Sequence, residues 1–419
     1  ANQVAEATAS RPPVQALVDR VSAVFVPVVI LLAVVTFIAW WLATGDAAIA
    51  WRPAVTLLVI ACPCALVIST PVTVISAITA AARRGVLIKG GAYLEALGSV
   101  KAFAFDKTGT LTHGQPEVMA TRSVDCLTGT ACDKCDDVLA LASAVERRSA
   151  HPLAKAVVGA AEARGLAEAY APAEAVEMLA GQGVRGRVAD KLVTVGSHPF
   201  FDAQYPHSAE FCDLVHDAEA HGQTTMLLSD GERVRGFIAA ADAVREDSRT
   251  VIAELKALGV VSIMLTGDNA TVAQSIGAQV GVDDVRAGLM PEDKVDALKG
   301  LLAKYGSVAM VGDGVNDTPA LAASTVGIAM GGAGSAQALE TADIALMADD
   351  LSQLPYAVRL SRFARHLIVQ NVTISFATKF VFVVLALAGV TSLWLAILAD
   401  VGVSLLVTLN GMRPLKFEK

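Results

Sequence analysis

Apolar residues along this chain fall into three patterns. The first is apolar on every side and long enough for a membrane-spanning helix, which takes about 20 residues. Residues 23–43, AVFVPVVILLAVVTFIAWWLA, carry no charge, and neither do residues 54–82, which contain ACPCALVISTP. A third stretch, roughly 367–388, holds one charge, Lys379, and a fourth, roughly 391–411, holds one, Asp400. The flanking charges are uneven. Arg83, Arg84 and Lys89 follow the second stretch, Arg359, Arg362 and Arg365 precede the third, and Arg413, Lys416 and Lys419 follow the fourth. The short loops at 44–53 and 389–390 hold only Asp46 and Arg52. An excess of Lys and Arg on one side predicts that both termini and the long middle segment are cytosolic. The expected setting is a multi-pass integral protein whose partner is the lipid bilayer of the cytoplasmic membrane.

The second pattern lies in the middle segment, about 95–360. Short apolar runs end there in small or acidic residues: VKAFAFDKTGT, VVSIMLTGDN, SVAMVGDGVND and TVGIAMG. Buried strands alternating with helices predict a parallel α/β sheet, and acidic strand ends mark its ligand-binding edge. The third pattern occupies 115–235, where Gly-rich and alternating segments such as AGQGVRGRVADKLVTVGS predict an antiparallel sheet with flanking helices. The reading is an α+β domain inserted into an α/β domain made of 95–114 and 236–360, between helix pairs at 23–94 and 361–419.

Composition agrees. The chain has 419 residues, 54% apolar and only 18% charged, against roughly 25% charged in soluble domains. Mean hydropathy is +0.53. The net charge of −8 argues against a nucleic-acid partner, which calls for a basic stripe. Six cysteines in this length do not make a disulfide framework.

The acidic strand ends suggest phosphoryl transfer. Asp106 opens Asp106-Lys107-Thr108-Gly109-Thr110, and a carboxylate there can attack the γ-phosphate of ATP. Thr266-Gly267-Asp268 offers a hydroxyl and amides, and Lys294 in MPEDK offers an ammonium. Gly312-Asp313-Gly314-Val315-Asn316-Asp317 offers carboxylates for Mg²⁺, with Asp106 and Asp313 as sufficient protein ligands. In the second uncharged stretch, Cys62-Pro63-Cys64 lies mid-span. Residues two apart on a straight helix point about 200° apart. Pro63 lacks an N–H and clashes with the Val59 carbonyl, so the helix is expected to kink or unwind and let both sulfurs face one ion. Intramembrane charges are functional by default, so Asp400 is expected to join the thiolates as a ligand. A hard carboxylate beside thiolates suits Zn²⁺ better than Cu(I). Lys379 is expected to act as an internal counter-ion to Asp400 once the metal leaves.

DKTGT, TGDN, MPEDK and GDGVND, in this order, resemble the P-type ATPases of the haloacid dehalogenase superfamily. The resemblance implies that Asp106 is the phosphorylated nucleophile, with Lys107 in the same motif. Thr108 helps to bind Mg²⁺ and phosphate, Lys294 holds the phosphoryl group, Asp313 ligates Mg²⁺, and Asn316 and Asp317 support the site. Related phosphatases have a second Asp where this chain has Thr108, so the resemblance favours a long-lived aspartyl phosphate over a membrane-anchored phosphatase. Glu146, Ser149-Ala150-His151-Pro152-Leu153 and Gly181-Gln182-Gly183 resemble the nucleotide-binding domain of heavy-metal pumps, with His151 packing on adenine, Glu146 accepting from its amino group, and Gly181 and Gly183 allowing close approach. CPC with a later Lys and DxG resembles the zinc/cadmium/lead-exporting branch. A copper exporter is the alternative, although no Tyr precedes Asn371 and Met412 lies at the far end.

The resemblance further implies an actuator domain with a Thr-Gly-Glu motif and more helices upstream. No TGE occurs here, and residues 1–22 resemble the linker that follows the actuator. The chain is therefore expected to be a C-terminal portion that can be phosphorylated without completing turnover. Cys126, Cys132 and Cys135 are expected in a solvated loop, with regulatory zinc at the metal-ligand spacing Cys132-x-x-Cys135 as the alternative, and Cys212, His198 and His207 show no partner pattern.

Overall fold

The structure, a computed structural model, describes residues 13–60, 64–126, 132–149, 151–179, 181–313, 317–331 and 340–418, with the backbone alone at 13–22, 64 and 66. Cys62, Pro63, Asn316 and the linker at 1–12 lie outside the described residues, as does the side chain of Cys64. Two units divide the chain, one made of 1–100 with 342–419 and the other of 101–341.

The first unit is built on apolar helices. Ala23–Thr44, Gln353–Leu387 and Leu393–Lys416 are each long and apolar enough to cross a membrane. They carry large apolar side chains outward, among them Leu42, Phe380 and Trp394, because hydrocarbon rather than water is the solvent their surface suits. Val29, Ala33, Leu57, Ile60, Ala386 and Ala396 pack between them. Small residues permit close approach: a Cβ added to Gly411 would lie 2.6 Å from Thr73 Oγ1, on the helix Cys64–Arg83.

The second apolar stretch is helical on both sides of its CPC segment, over Ala47–Ile60 and over Cys64–Arg83. One expectation changes here. The polar-looking loop at 44–53 shrinks to residues 45 and 46, and Arg52 sits on a helix. The third apolar stretch is the end of a helix that begins at Gln353. Pro355 falls in its first turn, where a missing N–H is tolerated.

In the second unit, five parallel strands stand in the order Val326–Met330, Val308–Gly312, Ala102–Asp106, Val261–Leu265, Asp284–Arg286. The strands at 102–106, 308–312 and 326–330 are buried at every position, as a sheet covered by helices on both faces requires. The chain steps from Ala102–Asp106 outward to one side, then returns to the other side with Val308–Gly312. That reversal is a topological switch point, and Asp106 ends the strand beside it.

Between Asp106 and Val261 the chain builds a six-stranded antiparallel sheet: Thr112–Ser123, Val234–Val244, Thr224–Ser229, Lys191–Gly196, Gly183–Val188, Glu174–Leu179. Alternation along its strands loads two cores. Met226, Leu228, Ile238 and Ala240 face the helices Asp133–Glu146 and Pro152–Ala163. Leu227, Phe237 and Ala239 face Phe200, Phe201, Phe211 and Val215 of the helices His198–Gln204 and Ala209–Ala220.

Candidate functional site

Asp106 sits at the carboxyl end of the central parallel strand, and the next residues turn sharply. Gly109 has φ +74°, and a Cβ there would lie 3.2 Å from Asp313 Oδ2, so the turn presses against that carboxylate. Lys294 comes from the first turn of the helix Pro291–Tyr305, whose start is set by Pro291 and by Asp293 accepting from the Met290 N–H at 3.0 Å. Its ammonium donates to Asp106 Oδ1 at 2.6 Å and to Asp317 Oδ1 at 2.8 Å. Asp317, Lys294 and Asp106 are all buried.

The electrostatics follow from that crowding. Burial, then repulsion from Asp317, pushes the Asp106 carboxyl up to about 7; Lys294 opposes both, and Asp313 adds to the rise. Burial alone would lower Lys294, but Asp106 and Asp317 hold its ammonium well above the usual lysine range. Three carboxylates around one ammonium are an excess of hard oxygen donors and negative charge. Hard oxygen donors of that kind are what Mg²⁺ takes.

The remaining motif residues surround this cluster. Lys107 is buried and forms an ion pair with Asp268. Thr266 is buried; its hydroxyl accepts from the Asp268 N–H at 3.2 Å, and its carbonyl accepts from Leu289 N–H at 3.0 Å. A Cβ on Gly267 would lie 3.3 Å from the Leu289 carbonyl. Thr108 is partly exposed within the turn. Sequence reasoning missed two residues that brace the turn. Asp242 accepts from Thr112 Oγ1 at 2.7 Å, Gly114 N–H at 3.1 Å and Gln115 N–H at 3.2 Å. Arg245 donates to the carbonyls of Thr112 at 3.1 Å and Gly109 at 3.2 Å. No local motif marks either, because their partners lie more than a hundred residues away.

Residues 100–325 match the sequence model of the haloacid dehalogenase-like hydrolases. The chain belongs to that family. Within it, the relatives are P-type ATPases. The chain is 44% identical over 421 residues to a probable cadmium-transporting ATPase of Staphylococcus aureus (strain MRSA252), covering 99% of this chain and 57% of that protein. It is 42% identical over 417 residues to the zinc/cadmium/lead-transporting P-type ATPase of Escherichia coli (strain K12), covering 99% of this chain and 54% of that one. A crystal structure of a zinc-transporting PIB-type ATPase in the E2.Pi state superposes with TM-score 0.75 at 43% identity, covering 98% of this chain and 66% of that chain. The chain thus spans a little over half the length of these curated relatives.

In this family member the residues expected to meet nucleotide lie on the antiparallel half. Glu146 ends the helix Asp133–Glu146, and burial pushes its carboxyl up to about 7 against a hydrogen bond from Ser149. His151 caps the helix Pro152–Ala163, its Nδ1 accepting from the Leu153 N–H at 3.2 Å. Burial lowers the ring's affinity for a proton, and Asp268 opposes that. Gly181 has φ +68°, and a Cβ on it would lie 3.5 Å from Met290 Cε. Gly183 has φ +149°, and its Cβ would lie 2.1 Å from the Val195 carbonyl oxygen. The three cysteines expected in a solvated loop converge instead: Cys132 Sγ lies 3.2 Å from Cys135 Sγ, Cys135 is buried, and Cys126 joins them.

On the helical unit, Lys379 and Asp400 meet. The Lys379 ammonium donates to Asp400 Oδ1 at 2.9 Å and to the Ile60 carbonyl at 3.0 Å. A small cavity here is lined by Ile60, Ala65, Ser375, Thr378, Lys379 and Asp400. The buried Ser375 hydroxyl has no hydrogen-bond partner among the described residues. Asn371 is engaged elsewhere, donating to the Val407 carbonyl at 3.1 Å and accepting from Asn410 at 2.7 Å.

Proposed function

We propose that the protein exports divalent soft metal ions, Zn²⁺ with Cd²⁺ and Pb²⁺, across the cytoplasmic membrane, driven by ATP through an aspartyl phosphate on Asp106. The observation that carries the ion assignment is the Lys379–Asp400 pair beside the start of the Cys64 helix, in helices apolar enough to cross a membrane. A carboxylate in that setting is costly unless compensated, and it supplies the hard donor that a divalent ion takes and Cu(I) does not. The engagement of Asn371 with Val407 and Asn410 weighs further against the copper reading.

Cargo enters from the cytosol and binds Cys62, Cys64 and Asp400, displacing Lys379 from the carboxylate. Nucleotide docks with its adenine on the His151 ring, its amino group on Glu146, and backbone close to Gly181 and Gly183. Asp106 attacks the γ-phosphorus in line. The new bond joins its carboxylate oxygen to phosphorus, the bond to the β-phosphate bridging oxygen breaks, and ADP leaves with that electron pair. Lys294 neutralises charge on the transferring group, aided by Thr108 and Thr266 with the Gly267 amide, while Lys107 holds Asp268 in place. Mg²⁺ held by Asp106 and Asp313, with Thr108 alongside, supplies further charge neutralisation when bound. Asn316 and Asp317 support that cluster. Thr108 offers no carboxyl group to activate water, so the phosphoenzyme persists until the conformation changes. When the ion departs, Lys379 returns to Asp400 and opposes rebinding.

The test is metal content of the purified chain in detergent, with Cys62→Ser and Asp400→Ala beside the natural sequence, each equilibrated with Zn²⁺ or Cu(I). Each variant should bind about one Zn²⁺ fewer per chain. Unchanged Zn²⁺ in Asp400→Ala, together with Cu(I) lost in Cys62→Ser, would overturn the divalent assignment.

A further inference from the structure

Four side chains that the sequence left without a role converge on the antiparallel half. His198 and Asp202 lie one helical turn apart on the helix His198–Gln204, His207 follows in the connecting loop, and Cys212 lies on the helix Ala209–Ala220. Cys212 Sγ is 3.3 Å from His198 Nε2 and 3.3 Å from His207 Nε2. Asp202 Oδ1 is 3.4 Å from His198 Nε2, 3.1 Å from His207 Nε2 and 3.9 Å from Cys212 Sγ. A tetrahedral zinc ion with nitrogen and oxygen at about 2.0–2.2 Å and sulfur at about 2.3 Å has donor–donor edges of about 3.2–3.7 Å. Three of these distances, 3.3, 3.3 and 3.4 Å, fall in that range, and the other two, 3.1 and 3.9 Å, lie just outside it.

The surroundings orient the donors as a metal site requires. His207 Nδ1 is 2.8 Å from the Tyr205 carbonyl. A carbonyl only accepts, so Nδ1 carries the proton and the Nε2 lone pair faces the cluster. His198 Nδ1 faces the buried Glu219 carboxylate at 3.7 Å, and Glu219 is itself fixed by the Thr225 hydroxyl at 2.6 Å. A carboxylate or carbonyl behind each ligating imidazole is the usual arrangement around zinc. Both imidazoles are buried while Asp202 is half exposed, which leaves a route from solvent.

We propose that His198, Asp202, His207 and Cys212 form a tetrahedral site for one Zn²⁺ or Cd²⁺ ion on the nucleotide-facing half of the chain, separate from the membrane pair. Two neutral imidazoles, one carboxylate and one thiolate balance the ion's double charge. The Cys212 S–H proton leaves to solvent as the metal–sulfur bond forms. The occupied site cross-links two short helices over the Phe200, Phe201 and Phe211 core.

Alkylation of the natural chain in detergent by iodoacetamide, with and without Zn²⁺ and resolved by peptide mass, is the direct test. Zn²⁺ should slow modification of Cys212 by about tenfold or more, since the metal-bound thiolate is withdrawn from reaction. Equal rates with and without Zn²⁺ would overturn the proposal. In a Cys62→Ser/Cys64→Ser background, His207→Ala and Cys212→Ser should each lower bound Zn²⁺ by about one per chain, and Glu219→Gln should weaken binding about 10–100-fold. An unchanged Zn²⁺ content in both His207→Ala and Cys212→Ser would count equally against it. The membrane assignment fails separately, on Asp400→Ala.

Discussion

Glu146 is buried at the end of its helix with its carboxyl raised from the ordinary 4.5 to about 7. Burial disfavours the charged form, so the folded state binds a proton more tightly than the unfolded state does. The sign then follows. Below about 4.5 the residue is protonated in both states and contributes no pH-dependent term. As pH rises through that window the unfolded state ionises first, and stability falls until the folded carboxyl also ionises near 7. A rise from 4.5 to about 7 amounts to about 3 kcal/mol of lost stability at pH 8. Glu146→Gln keeps the shape and removes the ionisation. The variant should be more stable by about 3 kcal/mol at pH 8 and equal to the natural chain near pH 4.5. Tryptophan fluorescence is the wrong assay, because all four tryptophans lie in the apolar helices at 40, 41, 51 and 394. Hydrogen exchange of the Asp133–Glu146 helix, read by mass spectrometry in the full chain, reports the right region. At pH 8 the variant should exchange about 10²-fold more slowly than the natural sequence, with the ratio collapsing towards one in acid. A variant-to-natural ratio that is the same at both pH values would refute the burial argument.

Other perturbations probe the remaining sites. Lys294→Met removes the cation from between Asp106 and Asp317 and should cost about 3–5 kcal/mol. Labelling of Asp106 from γ-labelled ATP would then slow by about 10²–10³-fold, and near-normal labelling would show that the ammonium is dispensable. Gly183→Ala drives a methyl group into the Val195 carbonyl at a φ that alanine avoids, for about 3 kcal/mol; ATP binding and exchange protection of Lys191–Gly196 should fall together, and intact protection would contradict the contact. Asp242→Ala frees three donors at the start of the strand Thr112–Ser123 that follows the Asp106 turn, about 2–4 kcal/mol in all. It should slow phosphorylation while leaving the dissociation constant for ATP unchanged, and weakened ATP binding with normal phosphorylation would point elsewhere.

Much of the phosphorylation site was legible because its parts are local. Apolar runs ending in DKTGT, TGDN and GDGVND are each a strand and its terminal turn, so the residue order specifies which side chains reach one sheet edge once the strands pair in parallel. The apolar spans were visible for the same reason. The brace formed by Asp242 and Arg245 was not, because its residues contact a turn more than a hundred positions earlier and carry no motif of their own. His198, His207 and Cys212 showed no partner pattern in sequence, and Asp202 none either, because a helix, a loop and a second helix must pack before their donors face one point.

The sequence alone determined the periodicities, and with them the apolar helices, the parallel and antiparallel sheets and the acidic strand ends, since these depend on backbone geometry and on residues a few positions apart. Tertiary structure decided what those elements do to each other's charges. It set Lys294 between two carboxylates, turned Lys379 towards Asp400 and the Ile60 carbonyl, and buried Glu146. Burial and the distance between charges are properties of the packed chain, and ionisation in a low-dielectric interior depends on both.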